Sequence, residues 1–123
     1  MNVGILTFHF ADNYGAVLQA YATLRFLEKN VINCKIVNYA SKQLLDTYEI
    51  NPLKEKGIEL IRALVKFPYI KKQHMLFEEF RTKYFNLENA PTNNFEKACV
   101  GLDTIIVGSD QVWNANIIFN DET

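Results

Sequence analysis

Short, uniformly apolar runs alternate along the chain with segments of helical periodicity, the pattern of strands packed under helices. The first run, Val3 to Phe8, collects Val, Ile, Leu and Phe and predicts a strand buried on both faces. His9 to Gly15 then turns polar and ends in Asp12-Asn13-Tyr14-Gly15, which offers cap residues for a helix over Ala16 to Leu27. Within that helix Val17, Ala20, Tyr21, Leu24 and Leu27 keep the i, i+3, i+4, i+7 spacing. Few polar residues interrupt it, so it is expected to be largely buried. Cys34 to Tyr39 reads as a second strand, and two strands joined by one helix imply parallel pairing.

After Tyr39 the pattern loosens. Ala40 to Asn51 is expected to be a loop, with Pro52 placed where a first helical turn tolerates its missing N–H. Leu53 to Phe67 is helix-like although Gly57 weakens it, Pro68 is expected to break it, and Tyr69 to Phe85 resumes, giving two helices joined at Pro68. A loop over Asn86 to Asn94, one or two helical turns over Phe95 to Val100 and a third parallel strand over Asp103 to Val107, expected to be buried like the first, complete the series. The fold class is α/β, a three-layer Rossmann-like parallel sheet. Three such strands ordinarily need neighbours and two covered faces, so residues 1–123 are expected to be one incomplete domain of a larger structure.

Composition narrows the function classes. With 49% apolar and 22% charged residues the chain can build a core and is not intrinsically disordered. Its formal charge of -1 gives no general attraction to nucleic acid. No basic leader precedes the first strand, and Arg62 and Lys66 interrupt the best apolar stretch, Ile58 to Ile70, so a cytoplasmic protein is expected. Cys34 and Cys99 stand apart, with no CxxC pair or His cluster, and read as reduced structural thiols rather than a metal site.

Candidate chemistry lies in two polar segments, each following a predicted strand, where open parallel sheets bind their ligands. In the first, Gly15 allows close backbone approach and the amides after it suit an anionic or hydroxyl-rich group. Helix capping by Asp12 or Asn13, and a structural hydrogen-bonded role for His9, account for the same residues equally well. Neither GxGxxG nor GxxxxGK[ST] occurs, so a dinucleotide or a P-loop triphosphate has no support. The second segment, Gly108 to Asn114, packs the hydroxyl of Ser109, the carboxylate of Asp110, the carboxamide of Gln111 and the indole of Trp113 into one stretch, groups that grip a sugar. Asp110 within reach of a sugar hydroxyl would act as a general base; the competing reading makes Ser109 or Asp110 a helix cap and Trp113 a core residue. A third feature, Arg62 to His74, carries Arg62, Lys66, Lys71 and Lys72 with no acidic residue. A solvated helix face is its simplest reading, and peripheral contact with an anionic membrane or a lipid-linked phosphate is the alternative.

Gly4-Ile-Leu-Thr-Phe-His9, Asn13-Tyr-Gly-Ala-Val-Leu-Gln-Ala-Tyr21 and Ile106-Val-Gly-Ser-Asp-Gln-Val-Trp-Asn114 resemble the amino-terminal portion of the polysaccharide pyruvyl transferase family. The resemblance implies the first domain of a two-domain, GT-B type enzyme that transfers an enolpyruvyl unit from phosphoenolpyruvate to a sugar hydroxyl in cell-surface polysaccharide synthesis. It implies no cofactor beyond that donor substrate. The acceptor would be a sugar or polysaccharide, possible also in lipid-linked form, and the donor-binding cations would belong to a second domain. Carried over by motif, Asn13, Tyr14, Gly15, Ser109, Gln111 and Trp113 would bind substrate, with Asp110 and then His9 the candidate catalytic residues. The alternatives are a GT-B glycosyltransferase fragment using a nucleotide sugar, and a binding module without catalysis.

Overall fold

The computed structural model describes residues 1–30, 32–85, 87 and 90–108, with the backbone alone for 43, 44 and 47. Three parallel strands form its sheet: β1 (Asn2–Leu6), β2 (Asn33–Ile36) and β3 (Thr104–Val107), in the order β2-β1-β3. The most apolar run thus becomes the central strand. Val3 and Ile5 are buried on one face of β1, under α1 (Tyr14–Lys29) and the carboxyl-terminal half of α3 (Ile58–Tyr84). These two helices supply Val17, Ala20, Leu24 and Leu27, and Phe77, to one core cluster that also takes in Ile36 and Phe85. On the other face Gly4 leaves room for Val37 and Leu102: a Cβ there would lie 2.7 and 2.5 Å from their side chains.

The expected strand-helix-strand unit is present and parallel, with Val3 opposite Cys34 and Ile5 opposite Ile36. Beyond Ile36 the second strand is shorter than expected. Val37 still donates to the Ile5 carbonyl (2.9 Å), but the chain then turns away to pair Tyr39 with Thr92.

Further expectations are corrected. Residues of the anticipated loop from Ala40 to Asn51 include a helix, α2 (Lys42–Tyr48), whose two turns are too short to show a periodic signal. Pro52 opens a single 3-10 turn, Pro52–Lys54, capped by the Asn51 side chain. Pro68 does not divide the next helix, because α3 runs unbroken through it. Proline removes one N–H and crowds the carbonyl four residues earlier; that residue, Leu64, is exposed like Pro68, so water can solvate the freed carbonyl.

Helix α1 is buried on one side only, since Leu18 and Phe26 are exposed together with Tyr14. Strand β3, expected to be buried, has Thr104, Ile106 and Val107 exposed, and among the described residues it pairs only with β1. The short helix α4 (Phe95–Ala98) before it matches the expected turns.

Candidate functional site

Every strand of a parallel sheet points its carboxyl end to the same edge, and both polar segments emerge there from adjacent strands. Leu6 is in register with Val107, and the Gly108 N–H donates to the Leu6 carbonyl at 2.8 Å. A Cβ on Gly108 would stand 3.1 Å from the Thr7 hydroxyl oxygen, so the second segment starts directly beside the first. Ser109, Asp110, Gln111 and Trp113 lie outside the described residues.

His9 is 1% exposed. Its Nδ1 lies 3.1 Å from the Thr7 carbonyl and its Nε2 3.1 Å from the Asn38 side-chain oxygen. Burial lowers its pKa below the ordinary histidine value, opposed by the hydrogen bonds with Asn38 and Thr7. Asn13 caps α1, with its side-chain oxygen accepting from the Ala16 N–H at 3.2 Å. Gly15 sits close behind, where a Cβ would come within 3.1 Å of that same oxygen. Tyr14 is exposed and leans its ring on Phe77 of α3, with centroids 4.9 Å apart.

Two residues that sequence reasoning did not single out hold this segment in place. Arg81, 2% exposed, donates from Nε to the His9 carbonyl (2.7 Å) and from Nη2 to the Phe10 carbonyl (2.8 Å) and Asp12 Oδ1 (2.8 Å). Its Nη1 donates to Glu78 at 2.6 Å. The other oxygen of Asp12 lies 2.6 Å from Nδ1 of His74, so one carboxylate joins two α3 side chains. The signal was in the helical row Phe77, Arg81, Tyr84, where a charge occupies a core-facing position.

Next to this clamp an open cleft of about 730 Å³ runs between the end of β1 and α3. Phe8, Asp12 and Asn13 bound it on one side, Tyr48 and Asn51 at the end of α2 on another, and Arg62, Lys66 and Phe67 of α3 on the third. Glu55 and Glu59 complete the rim, with Glu59 accepting from Arg62 at 2.7 Å. Aromatic rings beside amide, carboxylate and cationic groups suit a hydroxyl-rich ligand, which presents apolar ring faces and polar edges together. The sequence-predicted residues Asn13 and Asp12 face this cleft, whereas His9, Tyr14 and Gly15 are not among its lining residues. Among the described residues no group of three or more His, Cys, Asp or Glu is placed to hold a metal ion.

A family model described as polysaccharide pyruvyl transferase matches residues 13–122. No curated protein and no solved structure matches the chain.

Proposed function

We propose, since this chain belongs to the polysaccharide pyruvyl transferase family, that it forms the acceptor side of an enzyme moving a pyruvyl group from phosphoenolpyruvate to a sugar in cell-surface polysaccharide synthesis. In that chemistry, protonation of the donor's methylene carbon makes its neighbour electrophilic. One sugar hydroxyl adds there, and a second displaces inorganic phosphate to close the ketal. The acceptor side must orient a sugar and take up the proton of an attacking hydroxyl.

We assign the base to Asp110, and sugar contacts to Asn13, Ser109, Gln111 and Trp113. His9, buried with both ring nitrogens engaged, takes a positioning role at the end of β1. Gly15 and Tyr14 shape the start of α1. The donor's phosphate and carboxylate require cations in fixed positions, and a second, GT-B type domain is the proposed source of them. The observation that supports this reading is the register of β1 and β3, which starts the Asp110 segment beside the strand end that carries Asp12 and Asn13 to the cleft.

The test is to incubate the native polypeptide that carries this chain with phosphoenolpyruvate and a panel of oligosaccharides, and in parallel with nucleotide sugars. Phosphate release together with a ketal methyl signal in the proton spectrum supports the reading. Glycosyl transfer from the nucleotide sugars, with none from phosphoenolpyruvate, refutes it. Asp110→Ala is expected to lower turnover by about two to four orders of magnitude, the usual contribution of a general base, with acceptor KM changed far less. Unchanged turnover would remove Asp110 from that role.

A further inference from the structure

One chain of contacts in the clamp, from Arg81 through Asp12 to His74, ends on a ring nitrogen that no described residue hydrogen-bonds. Its inner end is fixed, because the Arg81 side chain is 3% exposed and holds Asp12 Oδ1 at 2.8 Å. Its outer end is open: the His74 side chain is 40% exposed, with Nδ1 lying 2.6 Å from Asp12 Oδ2. A carboxylate oxygen only accepts, so Nδ1 carries the proton of that bond. In the neutral ring Nε2 then keeps its lone pair and is the basic nitrogen. His9 is the contrast, sealed in with both nitrogens engaged.

The helix brings this nitrogen to the cleft's border. Phe67, Ile70, His74, Phe77 and Arg81 follow one another at steps of three and four residues and so share one side of α3. Phe67 and Ile70 line the cleft, whereas Phe77 and Arg81 are buried. His74 stands where the cleft side of the helix passes into the core, and both its partner Asp12 and its neighbour Gln73 line the cleft.

Ketal formation calls for a group of this kind. Two C–O bonds form, so two sugar hydroxyls each lose a proton; in the balance one enters at the donor's methylene carbon and the other leaves on inorganic phosphate. Asp110, once it holds the first proton, cannot take the second. We infer that His74, oriented by Asp12, is a second catalytic base of the acceptor side. Its Nε2 takes the proton of one sugar hydroxyl as that oxygen bonds to the electrophilic carbon, and passes it to the departing phosphate as the C–O bond to phosphorus breaks. Asp12 and Arg81 are positioning residues, holding the ring in the tautomer that leaves Nε2 free. The inference rests on the pyruvyl transfer reading.

The test uses the native polypeptide that carries this chain, with phosphoenolpyruvate and the oligosaccharide that gives the ketal. His74→Ala is expected to lower ketal formation about a hundredfold or more, and added imidazole to restore part of it in proportion to its concentration, which a purely structural role would not allow. Wild-type protein supplies a second measurement. Diethyl pyrocarbonate acylates an exposed imidazole nitrogen, releasing ethanol and carbon dioxide, and peptide mapping should find the label on His74 and not on His9. The oligosaccharide should protect His74 from it. A ketal made at the wild-type rate by His74→Ala, a loss that imidazole leaves unchanged, or labelling of His74 that the sugar does not slow overturns this inference and leaves the transfer reading standing. No ketal from the wild-type protein overturns both.

Discussion

Arg81 is the residue on which the candidate site's shape most depends. A buried guanidinium with four acceptors on two chain segments cannot be removed without leaving carbonyls and carboxylates unsatisfied. Arg81→Met keeps much of the volume and loses every donor. It should destabilise the chain by about 3 kcal/mol in urea unfolding. Asp12→Asn in that background should cost less than it does alone, because the pair is already broken. His9 makes the second prediction at this scale. Its folded pKa lies below the unfolded value, so the unfolded state binds the proton more readily. Its contribution is therefore fully present above about pH 6.5, the ordinary value, and is lost as pH falls through the lower folded pKa. His9→Gln, which cannot titrate, should flatten that part of a stability-versus-pH series measured by urea unfolding.

At the scale of elements, the cap on α1 ties candidate site and helix together. Asn13 satisfies the Ala16 N–H while lining the cleft, so its capping role leaves it at the position that the proposed sugar contact requires. Asn13→Ala should lower stability by about 1 kcal/mol, the usual value of an N-cap, seen as a lower thermal midpoint. Sequence patterning located α1 well because sixteen residues provide several turns of periodic signal. It missed α2, whose seven residues provide fewer than two turns beyond their ends. At Pro68 a strong local preference gave the wrong answer. The lost backbone bond falls on an exposed side of α3, and the packing of Phe77 and Arg81 farther along supports a continuous helix.

At the scale of the whole molecule, the close fit around β1 sets the constraint. Gly4 stands at the centre of the central strand with Val37 and Leu102 against it. Gly4→Ala would force both side chains to move and should destabilise the fold by about 1 to 3 kcal/mol, visible as a lower urea midpoint with an unchanged slope. The same fit fixes how β1 and β3 lie side by side, and so where the two polar segments start.

Much of this was determined by the sequence alone. Unbroken apolar runs predict strands, and the stripe through Val17, Leu24 and Leu27 predicts the helix between two of them, because burial is the main term and its period is local. The parallel pairing of β1 and β2 follows from that order. Only the tertiary structure decided that His9 is sealed in and that Arg81 reaches back some seventy positions to hold Asp12. It also decided that one side of α3 lines a cleft while the other meets solvent. Those outcomes depend on which distant groups meet when the elements pack, and local periodicity carries no record of that.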